Sequence, residues 1–140
     1  MLITSTKIKS KLRRIWPNLK WIWPTNPEWE VISEDWLNRI MERCSVRHMV
    51  TIPGIWECEN YAHQWKANVE TFQYELYQSG EYRPEWRWAV AECLGMQPGT
   101  FGGTMVHSLN LLVTDSGISL FEPQEDKLGI TDFTPFFLKF

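Results

Sequence analysis

The stretch WECENYAHQWKANVETFQYELYQSG, residues 56–80, decides the fold of this chain. Its apolar side chains recur every three or four residues, which is the spacing of one face of an α-helix. Ser79 and Gly80 are residues at which a helix commonly ends. The sequence therefore predicts a helix from Cys58 to about Gln78, with a cysteine in its first turn. The members of the apolar stripe are Cys58, Ala62, Trp65, Val69, Phe72 and Leu76.

After residue 85 the sequence shows the pattern of β-strands instead of that of helices. Asp115-Ser116-Gly117 is typical of a hairpin turn, and residues 97–103 form a loop rich in proline and glycine. Helices followed by antiparallel strands predict an α+β fold, with the long helix packed on a C-terminal antiparallel sheet. The candidate strands are Trp86–Leu94, Thr104–Thr114, Ile118–Glu122 and Phe136–Phe140.

The N-terminal part differs in charge. Six lysines and arginines lie between residues 7 and 20, and the first acid is Glu28, although the whole chain has a net charge of only -3. We predict an irregular, basic arm over residues 1–28, rich in Trp and Pro, with one short helix near residues 7–15. Residues 29–140 are then a single domain. In that domain Ser33 is the expected N-cap of a helix that ends near Arg43.

The predicted hairpin brings two chemically useful side chains together. If its loop has two or four residues, Val113 pairs with Ile118, and Glu122 shares a face with His107. A three-residue loop would place Glu122 on the opposite face. The shared face is mostly apolar, so we expect it to pack on the long helix and bring His107 to Cys58.

These three side chains are the types that a nucleophilic thiol requires. The N-terminus of a helix favours a thiolate, and a neighbouring imidazole can accept the proton of Cys58. A carboxylate such as Glu122 would fix the tautomer of His107. We therefore predict Cys58, His107 and Glu122 as a catalytic triad.

Three short motifs carry a family resemblance. The segments Glu57-Cys58-Glu59-Asn60-Tyr61-Ala62, His107-Ser108-Leu109-Asn110 and Phe121-Glu122-Pro123-Gln124 occur in this order. They resemble motifs of the papain-like C-terminal domain of the Marasmius oreades lectin and of related small phage and bacterial proteins. The resemblance covers residues 29–126. It implies a minimal papain-like fold and a cysteine hydrolase, a peptidase or isopeptidase, with Trp56, Asn110 and Gln124 supporting the site.

The same resemblance implies a divalent cation, Ca²⁺ or Mn²⁺, near Glu57, Glu59 and Asn60. Electrostatics makes such a cation useful, because the carboxylates of Glu57 and Glu59 flank Cys58 and oppose formation of a thiolate. The family's acidic residues beside the cysteine are mostly aspartates, and a papain-type oxyanion glutamine is missing here. Ile52 and Thr51 stand where that glutamine would be.

Other interpretations remain open. The domain could be a catalytically weak papain-like binder, for example a phage-encoded inhibitor of a host protein. Cys44, His48, Cys58 and His63 could instead form a zinc site. Residues 7–20 could contact nucleic acid, although a peptide or protein is the expected partner. Three cysteines fit a reduced, cytoplasmic protein better than a disulfide scaffold, and no stretch is apolar for long enough to span a bilayer.

Overall fold

A computed structural model describes residues 1–99 and 102–140 of the chain. Part of the predicted loop over residues 97–103, at Thr100 and Phe101, lies outside the described residues. The described part has the following elements in chain order: β1 Leu2–Thr4, α1 Ser5–Ile15, β2 Trp21–Trp23, β3 Glu28–Glu30, α2 Glu34–Arg43, α3 Cys58–Ser79, β4 Val90–Pro98, β5 Thr104–Thr114, β6 Gly117–Glu122, β7 Lys127–Leu128 and β8 Thr134–Lys139.

The long helix α3 confirms the central prediction. It begins at Cys58 and is followed by Gly80, whose φ of 74° is the left-handed conformation that glycine adopts without strain. Its buried face includes Trp65, which is fully inaccessible and packs its ring 4.5 Å from that of Phe121. Helix α2 likewise has Ser33 as its N-cap, with the side chain accepting a hydrogen bond from the Trp36 N–H.

The main sheet has six strands in the order β2-β8-β4-β5-β6-β7. All neighbours in it are antiparallel except β2 and β8, which run parallel. Val113 pairs with Ile118 and Thr114 with Gly117, so the hairpin has the two-residue loop on which the predicted placement of Glu122 depends. Strand β4 begins at Val90, four residues later than predicted.

The N-terminal arm is not irregular. Strands β1 and β3 form a separate two-stranded sheet, and β2 joins the edge of the main sheet through β8. Helix α1 buries Ile8 and Leu12 in a cluster with the side chains of β4 and β5. These contacts give regular structure to a segment whose prolines and basic residues had predicted an irregular arm. Whether the chain divides at residue 28 stays a prediction.

The predicted fold class therefore requires correction. The structure has a six-stranded mixed sheet, a two-stranded sheet and three helices in the described residues, which does not match the predicted minimal papain-like fold. It is not simply one helix packed on a C-terminal antiparallel sheet. The pattern missed β1, β2, β3 and β7 because each has only two or three residues, too few for a period to show. None of the helices in residues 1–99 and 102–140 has the length and hydropathy needed to cross a bilayer.

Candidate functional site

The site is centred on Cys58, the first residue of α3. Its thiol is half-buried, whereas the other two cysteines are fully buried. The helix start is held by Asn60, whose Oδ1 accepts a hydrogen bond of 3.0 Å from the Glu57 N–H. Glu57 Oε1 in turn accepts one of 2.8 Å from the Gly54 N–H. Cys58 is therefore placed by local bonds between the helix and the preceding loop.

His107 and Glu122 come from neighbouring strands of the hairpin. His107 Nε2 is hydrogen-bonded to Glu122 Oε2, and both side chains are buried. Nδ1 is therefore the ring nitrogen left for a second partner, and Cys58 lies close enough to His107 to raise the pKa of the imidazole. The structure thus brings all three predicted triad residues together.

The electrostatics of His107 favour the charged imidazolium. Burial lowers its pKa, but the hydrogen bonds to Cys58 and Glu122 and the charge of Glu122 outweigh burial and raise the pKa to about 9. The ring is therefore protonated at neutral pH and carries a positive charge beside the thiol. A buried cation is tolerated here because the Glu122 carboxylate lies against it.

The predicted packing of the hairpin was wrong in one respect. The sheet face that contains Leu109 and Leu111 packs under α1, while Leu112 and Phe121, on the opposite face, pack against α3. Because a helix covers each face, both faces are apolar, and alternation alone could not show which one carries the long helix. Cys58 is the first residue of α3. His107 can therefore approach Cys58 at the N-terminus of the helix, although the face of β5 that carries His107 does not pack along the helix.

The supporting residues have different partners. The Gln124 N–H donates to Glu122 Oε1 at 3.1 Å, which fixes the second carboxylate oxygen. Asn110 is fully buried and donates from Nδ2 to the carbonyl of Ala62 at 2.9 Å, which ties the first turns of α3 to the sheet. Trp56 packs edge-on against Tyr61, with ring centroids 6.0 Å apart. All three residues hold parts of the site.

The residues predicted to bind a cation do not fit one. Glu57 and Asn60 already accept backbone hydrogen bonds, and Glu59 Oε2 lies 3.5 Å from Cys58 Sγ. A calcium ion needs six to eight oxygen ligands. Within the described residues, no group of three or more His, Cys, Asp or Glu side chains is arranged to hold a metal. His107 itself supplies the positive charge that the cation was expected to provide.

The other two cysteines lie in the core. Burial raises the pKa of Cys44 to about 12, and burial also raises the pKa of Cys93. The zinc alternative with Cys44, His48, Cys58 and His63 is not supported, since no such cluster forms in the part of the chain that the structure describes. His63 instead contacts Glu92, with Nδ1 3.0 Å from Oε1.

Sequence reasoning missed three residues around the site. Tyr61 OH donates to the Met49 carbonyl at 2.7 Å and lies 3.2 Å from Thr51 Oγ1, so it holds the loop before Cys58. Gly95 lies directly opposite His107 in β4, where an added Cβ would collide with the ring of Phe133. A glycine inside a strand pattern is the signal for such close packing. The hydrogen bonds of Thr51 join residues that are ten or more positions apart in the sequence, so no local sequence pattern could predict them.

Comparisons with known proteins show which solved structures share this fold. No family model matches the sequence, and no curated protein matches it. Among solved structures, the chain is similar to one described as a PSL1a-E64 complex, with 17% identity and a TM-score of 0.75 over 99% of this chain. It is also similar to Polyporus squamosus lectin bound to the epitope Neu5Aca2-6Galb1-4GlcNAc, with 17% identity and a TM-score of 0.74 over 99% of this chain.

This chain spans about half the length of both lectin chains, 51% and 49% respectively. The predicted resemblance to a fungal lectin is confirmed at that coarser level, while Marasmius oreades lectin itself is not among these neighbours. The predicted papain-like cysteine hydrolase, and with it the description as a hydrolase or thiol protease, is overturned because the solved structures that share the fold are lectins. The chain has the fold of part of a fungal lectin.

Proposed function

We propose that this chain is a lectin-related ligand-binding domain in which Cys58 is a nucleophilic thiol. His107, as an imidazolium, pairs with the Cys58 thiolate, and Glu122 orients and stabilises that imidazolium. One observation carries the proposal: a buried histidine is hydrogen-bonded to the Glu122 carboxylate and lies close enough to Cys58 for the thiol to raise its pKa.

The proposed step is addition of Cys58 to an electrophilic carbon of a bound ligand. The bond from Sγ to that carbon forms, and the electron pair moves to a neighbouring atom of the ligand. The proton that His107 carries then passes to that atom. Gln124, Asn110 and Trp56 are positioning residues in this scheme, because they contact Glu122, α3 and Tyr61 rather than the reacting sulfur.

The rate at which iodoacetamide alkylates Cys58 at pH 7 tests this proposal, followed by mass spectrometry of the Cys58 peptide. We expect His107→Ala to slow alkylation at least about tenfold, since the thiolate loses the positive charge that stabilises it, and Glu122→Gln to slow it less. His63→Ala is the matched control: it removes an exposed histidine that also contacts a glutamate, and it should leave the rate unchanged. A wild-type Cys58 that reacts no faster than in urea-unfolded protein would refute the proposal.

The compound E64, named in the description of one structural neighbour, provides a second test of the proposed reactivity of Cys58. The PSL1a structure is described as a complex with E64, and we propose that E64 also binds this chain at Cys58. An E64 mass increment that survives denaturation and maps to the Cys58 peptide would support covalent capture. Absence of the increment after incubation with the folded wild-type chain would count against it.

A second candidate function is carbohydrate binding, as in the neighbour bound to a sialylated epitope. Trp21 and Trp23 favour it: both are 65% exposed, and they alternate with half-buried Ile22 on β2, the outer strand of the sheet. Exposed indole rings next to polar groups suit the apolar faces of sugar rings. Lys139, directly opposite Trp23 in the neighbouring strand, is such a polar group.

Calorimetric titration with Neu5Aca2-6Galb1-4GlcNAc tests the carbohydrate candidate. We expect binding by the wild-type chain and loss of binding in Trp21→Ala and Trp23→Ala. Tyr74→Ala is the control, because Tyr74 is a similarly exposed aromatic residue on α3 rather than on β2. If the wild-type chain releases no binding heat with this trisaccharide, the carbohydrate proposal fails for this ligand, and the proposal for Cys58 is unaffected.

A further inference from the structure

The positive charge of this chain is concentrated near its N-terminus. Residues 1–27 contain six basic side chains and no acid, so they carry a charge of +6, while the rest of the chain carries -9. Four basic side chains in the rest of the chain form ion pairs with glutamates. Within residues 1–99 and 102–140, none of the six N-terminal ones is ion-paired. The six are Lys7, Lys9, Lys11, Arg13, Arg14 and Lys20.

Helix α1 gathers part of this charge on one surface. Its apolar side, with Ile8 and Leu12, is buried in the cluster that covers β4 and β5. The opposite side of an amphipathic helix faces water. The side chains there line one shallow cleft of about 400 Å³, and three of the five are cationic. We call this surface the basic face of α1; it consists of Thr6, Lys9, Ser10, Arg13 and Arg14.

The helix that carries the basic face is fixed at its start. The Thr4 side chain caps it by accepting a hydrogen bond of 3.2 Å from the Lys7 N–H. Ser5 Oγ donates to the Asn26 carbonyl at 2.5 Å and accepts from Trp29 Nε1 at 3.0 Å. Because these bonds and the buried side hold the helix in place, binding an anion orders only the ends of side chains, which keeps the entropic cost small.

The chemistry of the basic face fits phosphate groups. A guanidinium donates two parallel hydrogen bonds to one phosphate, and lysine, serine and threonine side chains make further contacts to phosphate oxygens. The hydroxyls of Thr6 and Ser10 are exposed between the cations, one helical turn apart. The helix rises about 12 Å from Thr6 to Arg14, which corresponds to about three successive phosphates of one DNA strand. The length of the face therefore suits a chain of phosphates better than a single anion.

An anionic membrane is the other partner with this charge. A helix that binds a bilayer inserts its apolar side chains among the lipids. In α1 the apolar side chains of Ile8 and Leu12 are already buried in the protein, and every residue that lines the basic face is polar. The acids in the rest of the chain repel a polyanion and so turn α1 toward it. We propose that the basic face of α1 binds the phosphate backbone of a nucleic acid without reading its bases.

Fluorescence anisotropy with a fluorescein-labelled DNA duplex tests this proposal on the full chain. Each cation that contacts a phosphate releases a counterion, so three contacting cations predict a slope of about -2.7 for the logarithm of the binding constant against that of the salt concentration. The slope is measured between about 20 and 100 mM NaCl, where such binding is strongest. A second duplex of unrelated sequence should bind within about threefold of the first, because phosphate contacts carry no sequence information.

Two triple variants that remove the same charge locate the contact. Replacing Lys9, Arg13 and Arg14 by glutamine should weaken binding at least about tenfold at the lowest salt concentration and bring the slope near zero. The matched control also replaces two arginines and one lysine by glutamine and should keep the affinity within about threefold. Its exposed positions, outside α1, are Arg47, Arg83 and Lys127.

A variant with a smaller change keeps the test valid if the triple variant on α1 does not fold, which circular dichroism would reveal. Arg13→Gln alone should reduce the magnitude of the slope by about 0.9, because one phosphate contact is lost. An unchanged slope in this variant would contradict a contact at Arg13.

Three results would overturn the proposal. The wild-type chain could fail to bind the duplex at the lowest salt concentration. An equal loss of affinity in both triple variants would show that binding responds to net charge and not to the basic face of α1. Sedimentation of the chain with phosphatidylserine vesicles, without binding to the duplex, would show that the partner is a membrane. None of these results bears on the proposed reactivity of Cys58.

Discussion

Cys58 and Cys93 are the same residue type in opposite environments. Cys93 lies in the middle of β4, is fully inaccessible and belongs to the cluster under α1, and burial raises its pKa. Cys58 lies at the start of α3, half-buried, beside the imidazolium of His107. Cys44, at the end of α2, is buried like Cys93.

The difference shows that neighbours decide what a cysteine can do. A buried thiol in apolar surroundings stays protonated and acts as a small hydrophobic side chain. A thiol at a helix start beside a cation is accessible to solvent, and the positive charge favours the thiolate form. The apolar stripe of α3 begins with Cys58 and offers no sign of this distinction, since the sulfur there also continues a hydrophobic pattern.

The largest expected effect is the difference in alkylation rate among the three cysteines. In the folded chain at pH 7, we expect Cys58 to be alkylated at least about 100-fold faster than Cys44, because a thiol whose pKa is about 12 is ionised to only about one part in 10⁵. Peptide mapping after timed iodoacetamide treatment measures all three rates. In 8 M urea the rates should converge to within about threefold, and a spread that persists there would show that folding is not its cause.

The next effect concerns pH and stability. The folded chain holds the pKa of His107 at about 9, above its ordinary value of 6.5, so the protonated ring stabilises the fold fully below about pH 6.5. That contribution is lost as pH rises to about 9, and it amounts to about 3 kcal/mol. Urea unfolding at several pH values should show this loss in the wild-type chain.

The control for this prediction is the same measurement on the variant His107→Gln, because a glutamine side chain does not titrate. The difference in unfolding free energy between wild type and variant should shrink between pH 6.5 and 9. Cys44 and Cys93 ionise in the unfolded state of both proteins, so their contribution cancels in this difference. A constant difference over that interval would contradict the raised pKa.

The smallest effect concerns the attachment of α3 to the sheet. Asn110→Ala removes the buried hydrogen bond to the Ala62 carbonyl and should lower the unfolding free energy by about 1–3 kcal/mol. Asn68→Ala is the control: Asn68 also bonds a backbone carbonyl, that of Cys44 at 3.3 Å, but is only partly buried, so the cost should be smaller. Equal costs in urea titration would show that Asn110 has no special role in holding the helix that carries Cys58.

Local patterns predicted the elements that are long enough to show a period. The 22 residues of α3 and the 11 residues of β5 were found at nearly their observed bounds. The turn at Asp115 and Ser116 set the register that brings His107 and Glu122 together. The three-residue strands were missed, because pairing such as that of Trp21 with Phe137 joins residues more than a hundred positions apart.

The sequence by itself determined the helix that begins at Cys58 and the three candidate side chains of the site, and it narrowed the hairpin register to two alternatives set by the loop length. Each depends on local spacing or on one short turn. Only the tertiary structure decided which face of β5 packs on α3 and that α1 covers the other face. Those outcomes depend on contacts between distant segments, and both faces of a doubly covered sheet have the same apolar composition.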